Sequence, residues 1–115
     1  MKDDCGFCKL VAGEMDVSFL YESDDIVAFR DINPKAPVHI LVVPRKHIPK
    51  ISDVKDADQL LLGRMLSIAK ELAEKEGISD SGYRLIINCG ENAGQEIFHL
   101  HLHLLGGRRL SWPPG

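Results

Sequence analysis

Three histidines alternate with leucines near the carboxyl end of the chain, in the segment His99-Leu100-His101-Leu102-His103. Successive side chains of a β-strand point to opposite faces, so this spacing predicts three imidazoles on one face and leucines on the other. An imidazole can donate or accept a proton, attack an electrophile or bind a metal near neutral pH. A single histidine would fit an ordinary amphipathic strand, but three of the chain's five in strict alternation indicate a chemical site.

The middle histidine, His101, is the candidate nucleophile because it has a potential helper on each side. A neutral imidazole can attack phosphorus and form a phosphoramidate, which splits one difficult displacement into two easier steps. Such a nucleophile needs a group that fixes its tautomer, donors for the phosphoryl oxygens and an acid for the leaving group. Backbone amides around Gly94 can approach a phosphate closely, although a flexible turn is the alternative interpretation of Gly90 and Gly94.

A second candidate site is the pair Cys5 and Cys8, which are separated by two residues. Two thiolates at this spacing can bind one metal ion, and a closed zinc site needs two further ligands. These must come from distant histidines, for which His47 and His99 are the candidates. Unliganded thiols and a thioredoxin-like redox pair stay open as alternatives, although the redox motif needs a strand before it. Cys89 lies in a predicted strand and is expected to be a small core residue.

The composition is that of an ordinary globular protein with one domain spanning residues 1–115. Of these residues 44% are hydrophobic and 27% are charged, which suffices for one core. The net charge of −3, without a run of lysine or arginine, argues against nucleic acid as a partner but permits a small phosphorylated ligand. We expect a cytoplasmic protein without a membrane partner, because neither a signal peptide nor a long apolar run is apparent.

Apolar periodicity predicts the elements that position these residues. A short helix is predicted over Phe7–Val11, a long helix over Asp58–Glu76, and strands over Ser18–Glu22, Ile26–Asp31, His39–Val43, Tyr83–Cys89 and Ile97–Leu105. Short strands joined by turns, with one long helix after the third, predict an α+β fold with an antiparallel sheet of about five strands. The long helix has apolar residues on more than one face, which predicts a homodimer with the fourth strand as the partnering strand.

The segment His99–Leu105 resembles the His-φ-His-φ-His-φ-φ signature of the histidine triad (HIT) hydrolases, in which φ is an apolar residue. The similarity covers nearly the whole chain, since Val27–Pro37 resembles the family's nucleoside-pocket segment and Val38–His47 its central strand. The segments that resemble the Hint branch of the family are Ala93–Glu96, Gly106–Arg108 and Trp112–Gly115. The resemblance implies the HIT-like fold, a homodimer and a site for a purine nucleoside monophosphate.

The resemblance also implies a role for each site residue. His101 would take up the nucleotidyl group, His103 would contact the phosphate, and His39 would support the histidine cluster. Asp31 matches the residue that holds the ribose hydroxyls. Residues that match contacts to the phosphate and the leaving group are Asn88, Gly94, Gln95 and Glu96. Residues that match the apolar walls around the purine are Phe7, Leu10, Phe29 and Ile32, for which plain core packing is the alternative. Trp112 is expected to reach toward the partner's site.

Prokaryotic relatives that begin with Cys-x-x-Cys bind zinc through those cysteines, the histidine of a Lys-His pair and the first triad histidine. Cys5, Cys8, His47 and His99 reproduce this set. The resemblance therefore implies a structural Zn²⁺ ion and makes His99 a metal ligand rather than an acid–base group.

The function that the resemblance implies is that of a purine nucleoside phosphoramidase. Such an enzyme hydrolyses the P–N bond of adenosine or guanosine 5′-phosphoramidates through a covalent nucleotidyl-histidine. A dinucleoside polyphosphate hydrolase is the first alternative, and a zinc-stabilised nucleotide-binding adaptor with incidental hydrolysis is the second. The Gly106-Gly107 segment and the tail Trp112–Gly115 favour the phosphoramidase. A nucleotidyltransferase of the galactose-phosphate type is disfavoured, because it carries glutamine where this chain has His103.

Overall fold

Five strands form one antiparallel sheet in the computed structural model, which describes residues 5–115. The strands are β1 (Tyr21–Glu22), β2 (Ile26–Arg30), β3 (Val38–Pro44), β4 (Tyr83–Ile86) and β5 (Leu102–Gly106), and their order in the sheet is β1-β2-β3-β5-β4. The helices are α1 (Gly6–Val11) and α2 (Gln59–Lys75), and short 3₁₀ turns lie at Ile51–Asp53, Asp56–Asp58 and Glu91–Ala93. The predicted α+β class, the five-stranded sheet and both helices are confirmed.

The central strand β3 sets the positions of the histidines. All seven of its residues are buried, as expected for a strand covered on both faces. Leu41 of β3 lies opposite His103 of β5, and His39 lies opposite Leu105. Residues opposite each other share a face, as do residues two apart on one strand. His39 and His103 are therefore diagonal neighbours on one face of the sheet.

The alternation along the strands separates two hydrophobic clusters, one on each face. Met65 and Ile68 of α2 belong to the larger cluster together with Leu102 and Leu104 of β5. The leucines of the histidine segment thus face α2, as their spacing predicts. Each fully buried leucine contributes roughly 1.5–3 kcal/mol to folding, so this cluster supplies the main core.

The smaller cluster lies under α1, on the face that carries the histidines. Phe7 and Leu10 of α1 pack in it with Phe29 and Leu41 of the sheet. Because α1 has only six residues, a helix of this length is not stable alone, and its position depends on these contacts and on its ends.

Helix α2 buries Met65, Ile68 and Leu72, which recur at helical spacing. It ends at Lys75, and Gly77 follows with φ +73°, the left-handed conformation that terminates helices. Leu60 at its start is 77% exposed, so the core does not use every apolar side chain of this helix. None of the helices within residues 5–115 is both long and apolar enough to cross a bilayer.

The histidine strand begins at Leu102, five residues later than predicted. The backbone before Leu102 does not pair with a neighbouring strand. The amide of Leu100 donates to the carbonyl of Ile48 at 2.6 Å, and the carbonyl of Ile97 accepts from Gln95 Nε2 at 3.0 Å. His99 and His101 therefore lie before the strand rather than within it.

The predicted strand over Tyr83–Cys89 ends at Ile86. Cys89 then lies in a connecting segment, where it is half-buried rather than in the core, and its Sγ lies 3.2 Å from the hydroxyl oxygen of Ser52. The prediction that Cys89 is a small core residue is therefore wrong.

Candidate active site and metal centre

The row of three histidines divides into two neighbouring sites. His101 and His103 have ring centroids 4.9 Å apart, and His103 Nδ1 lies 2.9 Å from His39 Nε2. His99 turns toward His47, with ring centroids 5.1 Å apart. The separation of His99 from the other two histidines agrees with the predicted assignment of His99 to the metal set.

A main-chain carbonyl determines the tautomer of His101. Its Nδ1 lies 2.8 Å from the carbonyl oxygen of His99. A carbonyl oxygen can only accept, so Nδ1 carries the proton. The lone pair of the neutral ring is then on Nε2, which can attack an electrophile. His101 is buried and is contacted edge-on by Phe7, with ring centroids 5.2 Å apart.

A main-chain amide determines the tautomers of His39 and His103. The amide of Lys35 donates to His39 Nδ1 at 3.0 Å, so the proton of a neutral His39 is on Nε2. This Nε2–H donates to His103 Nδ1, which leaves the His103 proton on its own Nε2. His103 thus presents an N–H donor on the edge of the ring that faces away from His39.

Burial keeps both of these rings neutral. Burial lowers the pKa of His39, although the nearby Asp31 carboxylate acts in the opposite direction. Burial lowers the pKa of His103 to about 4, helped by the neighbouring His101 and His39. At neutral pH the pair therefore consists of two uncharged imidazoles that share one hydrogen bond.

Cys5, Cys8, His47 and His99 converge from three parts of the chain. The Sγ atom of Cys8 lies 3.1 Å from His47 Nδ1 and 3.4 Å from His99 Nδ1, and Cys5 Sγ lies 3.3 Å from His99 Nδ1. All four ligand atoms lie within 4.8 Å of one another. Tetrahedral zinc, bound about 2.3 Å from sulfur and about 2.0 Å from nitrogen, separates its ligand atoms by roughly 3.3–3.8 Å. The two thiols and two imidazoles are thus positioned to hold one metal ion.

The ring orientation of His99 also fits a metal ligand. His99 Nε2 lies 2.7 Å from the carbonyl oxygen of Pro44 and must donate to it. The lone pair of His99 therefore lies on Nδ1, the atom that faces the two sulfurs. The segment before His47 is held by an ion pair of 2.7 Å between Lys46 and the buried Asp58.

Asp31, His39 and His103 form a second group with three possible ligand atoms close together. The amide of Lys35 argues against a metal ion there. Because this amide occupies His39 Nδ1, the proton lies on Nε2, the atom that would have to bind the metal. The hydrogen bonds thus favour metal binding only at the cysteines.

The loop of residues 90–97, before the histidines, is held by hydrogen bonds from the buried side chain of Gln95. Gln95 is 6% exposed and donates from Nε2 to the carbonyls of Pro49 at 2.8 Å and Ile97 at 3.0 Å. Its Oε1 accepts from the amide of Gly90 at 2.9 Å. Gly94 has φ +80°, so the turn between them uses a conformation that favours glycine. The side-chain amide of Gln95 thus bonds to three backbone groups of the protein. The contact of Gln95 with substrate stays a prediction.

The predicted purine walls lie mostly together. Phe7, Leu10 and Phe29 share the cluster under α1, whereas Ile32 is 92% exposed. Asp31 is half-buried and its Oδ2 lies 3.4 Å from His39 Nε2. The structure thus brings the predicted ribose-binding carboxylate to the histidine cluster.

Three predicted contacts remain, and they are Asn88, Glu96 and Trp112. Asn88 is half-buried two residues after β4, and Glu96 lines a cavity of about 430 Å³ together with Cys5 and His47. Trp112 is 80% exposed. The tail is tied to the sheet by Arg84, which donates to the carbonyl of Ser111 at 3.0 Å.

Several residues that shape the site could not be found from side-chain types. The amide of Lys35 and the carbonyl of Pro44 act through the backbone. Arg108 donates to the carbonyl of Lys35 at 2.7 Å and so holds that segment. Gly107 has φ +88°, and a Cβ there would lie 2.9 Å from the Cβ of Pro37. In the sequence, the segment Gly106-Gly107-Arg108 indicates this packing.

Comparisons with known proteins give a consistent family assignment. The model of the HIT domain matches residues 12–110. An uncharacterized HIT-like protein of Synechocystis is 49% identical over all 115 residues of both chains. The purine nucleoside phosphoramidase of Escherichia coli is 46% identical over 110 residues, which cover 96% of this chain and 92% of the relative. The crystal structure of a HIT family hydrolase from Legionella pneumophila superposes with a TM-score of 0.95 at 52% identity, over 97% of this chain and 100% of the other. This chain therefore belongs to the HIT domain family.

Proposed function

We propose that the protein is a purine nucleoside phosphoramidase that forms a covalent nucleotidyl-histidine at His101. The observation that carries the proposal is the tautomer of His101, whose Nδ1–H is held by the carbonyl of His99 so that Nε2 bears a lone pair. The 46% identity to a purine nucleoside phosphoramidase supports the same reaction.

In the first step, Nε2 of His101 attacks phosphorus and the P–N bond breaks. The electron pair of that bond goes to the departing nitrogen, which takes up one proton from solvent and leaves as the amine. The positive charge that develops on the His101 ring is stabilised by the hydrogen bond from its Nδ1 to the carbonyl of His99. The N–H of the neutral His103 donates to a phosphoryl oxygen and does not compete as a second nucleophile.

In the second step, water attacks the same phosphorus and the bond to Nε2 breaks. The electron pair returns to Nε2, and the water releases the proton that replaces the one consumed in the first step. Two displacements at one phosphorus restore its original configuration. Asp31 accepts hydrogen bonds from the ribose hydroxyls, and Phe7, Leu10 and Phe29 contact the purine.

We also propose that the ion held by Cys5, Cys8, His47 and His99 is zinc. Two thiolates and two imidazoles form a common donor set of structural zinc sites, in which every position is filled by the protein. When bound, zinc supplies folding energy to this part of the chain. The reaction steps above use none of the four ligands as an acid, a base or a nucleophile.

A competition experiment tests the substrate class. The protein is incubated with equal concentrations of adenosine 5′-phosphoramidate and diadenosine tetraphosphate, and both products are followed by chromatography. We expect preferential cleavage of the P–N bond, and a loss of turnover at limiting substrate in Asp31→Asn. Preferential cleavage of the P–O–P bond would indicate a polyphosphate hydrolase instead. Binding of both compounds without turnover of either would indicate an adaptor.

A further inference from the structure

The aromatic ring of Phe7 lies between the metal centre and the candidate nucleophile. Phe7 is 8% exposed and packs edge-on against His99, with ring centroids 6.0 Å apart, and against His101, with ring centroids 5.2 Å apart. It also packs edge-on against Phe29, at 5.8 Å. One side chain thus contacts a metal ligand, the nucleophile and a purine-wall residue.

The position of Phe7 depends on the two cysteines that flank it. Cys5 caps α1, and its Sγ accepts the amide of Cys8 at 3.2 Å. A helix of six residues has no stability of its own, so α1 is held by its packing and by the residues at its start. A metal ion on Cys5 and Cys8 would fix the first turn, and with it the ring of Phe7.

A second connection runs through the main chain of His99. Its side chain belongs to the metal centre, while its carbonyl accepts the Nδ1–H of His101 at 2.8 Å. His99 lies before the strand pairs formed by β5, so its carbonyl is not held by the sheet ladder. The other end of the same peptide unit, the amide of Leu100, donates to the carbonyl of Ile48 at 2.6 Å. The orientation of the His99 carbonyl therefore depends on this hydrogen bond together with the position of the His99 ring.

We infer that Phe7 and the carbonyl of His99 couple the metal centre to the nucleotide site, so that metal ion and nucleoside monophosphate bind cooperatively. Phe7 acts here as a positioning residue. The inference rests on the proposed nucleotide site. It adds a thermodynamic link between the metal centre and the nucleotide site, which have no side chain in common among the residues that would bind each. Such coupling is reciprocal, because each ligand must change the affinity for the other by the same factor.

The test uses the full chain loaded with zinc. Zinc transfer to a chromophoric chelator is measured with and without saturating adenosine monophosphate, and the affinity for adenosine monophosphate is measured by calorimetry on zinc-loaded and zinc-stripped protein. We expect the nucleotide to lower zinc transfer at equilibrium by at least about fivefold, at the lower end of typical coupling between sites. The affinity for the nucleotide should fall by the same factor in stripped protein.

Three variants separate the coupling from simpler effects. Phe7→Leu should keep bound zinc. At adenosine monophosphate concentrations that calorimetry shows to saturate this variant, it should lose most of the effect of the nucleotide on zinc transfer. Phe19→Leu is the matched control, since Phe19 packs on Phe29 at 6.5 Å within the same cluster, and it should retain the coupling. In Asp31→Asn, the same concentration of adenosine monophosphate should no longer change zinc transfer. This result would show that the nucleotide acts by binding to the protein and not by binding zinc in solution.

The outcomes distinguish this inference from the proposed function. If adenosine monophosphate binds and leaves zinc transfer unchanged, the coupling is wrong and the nucleotide site stands. If the zinc-loaded protein does not bind the nucleotide, the nucleotide site and the coupling are both wrong. If the protein takes up no zinc, the coupling is wrong. The transfer measurement needs only zinc-loaded protein, so it gives an answer even if the stripped protein unfolds.

Discussion

The Nε2 atom of His39 lies 2.9 Å from the Nδ1 atom of His103, and the amide of Lys35 lies 3.0 Å from the other nitrogen of His39. A main-chain donor therefore sets the direction of two successive hydrogen bonds. Asp31 also approaches His39 Nε2, at 3.4 Å, but the tautomers follow from the amide alone. The donor at the end of this chain of hydrogen bonds is the Nε2–H of a neutral His103, on the edge of the ring that faces away from His39.

The low pKa of His103 predicts a loss of stability in mild acid. In the unfolded chain histidine titrates near 6.5, whereas the pKa of His103 in the folded protein is about 4. The unfolded state therefore binds more protons between these values, and stability that is complete above pH 6.5 is lost as the pH falls toward 4. At about 1.4 kcal/mol per unit, the contribution is on the order of 3 kcal/mol.

Thermal melting between pH 7 and pH 4.5 measures this effect. His103→Gln cannot titrate at this position, so its melting temperature should fall less steeply with pH than that of the wild type. The comparison cancels carboxylates such as Asp58, whose pKa is lowered by Lys46 in both proteins. Equal slopes in the two proteins would contradict a depressed pKa at His103.

The proposed zinc site predicts different effects for two cysteine substitutions of the same kind. Cys8→Ser should remove the zinc and lower the melting temperature by at least about 10 °C, because structural zinc contributes directly to folding. Cys89→Ser is the matched control, since Cys89 is half-buried beside Ser52 and is not one of the four candidate metal ligands. It should keep about one zinc per chain. Elemental analysis and melting curves give both readouts, and a Cys8→Ser variant with unchanged zinc and melting would refute the assignment.

The hydrogen bonds of Gln95 predict that it holds the loop, beside the substrate contact that the family resemblance implies. Gln95→Met preserves the approximate volume but leaves the backbone of Pro49, Ile97 and Gly90 without its partners. Each buried group left without its partner costs about 1–3 kcal/mol of stability. Because the loop would then be held less firmly next to the histidines, we expect kcat/KM to fall by about 10- to 100-fold.

Hydrogen exchange separates the two roles of Gln95. Amides of residues 90–97 should exchange faster in Gln95→Met, and Gln95→Glu should be intermediate because it keeps the acceptor for Gly90. Glu91→Gln, at an exposed position of the same loop, should leave exchange and kinetics unchanged. A loss of activity without faster exchange would favour direct contact of Gln95 with substrate.

Exposed apolar residues at the start of α2 predict a homodimer. Leu60 is 77% exposed, and Leu60→Glu should weaken self-association because it places a charge in an apolar contact. Gln59→Glu adds the same charge at the neighbouring exposed position and should have little effect. Light scattering at micromolar concentration should give twice the chain mass of 12.8 kDa. A monomer under these conditions would contradict the prediction.

The sequence predicted the sheet and its helices because their apolar patterns are regular. The burial of Met65, Ile68 and Leu72 follows the helical period, and Gly77 marks the end of α2 as expected. It also predicted the leucines of the histidine segment to face the core, which is confirmed at Leu102 and Leu104. These features depend on side-chain periodicity, which is visible in the residues themselves.

The late start of the histidine strand could not be predicted in this way. Strict alternation from His99 favours a strand, but the backbone of residues 97–100 bonds to Ile48 and Gln95 instead of to a neighbouring strand. The histidine tautomers could not be predicted from the sequence either. They are set by the main-chain amide of Lys35 and the main-chain carbonyl of Pro44, and nearly every residue carries such groups. Only the fold shows which of them reach a histidine.

The stereochemistry of hydrolysis at phosphorus distinguishes a covalent nucleotidyl-histidine from direct attack by water. An adenosine 5′-phosphoramidothioate of known configuration is hydrolysed in ¹⁸O-labelled water, and the configuration of the product is determined. Attack by His101 followed by attack by water involves two inversions, so we expect net retention. His101→Ala should lower turnover by at least about a thousandfold while keeping nucleotide binding. Net inversion would show that water attacks directly and that no nucleotidyl-histidine forms.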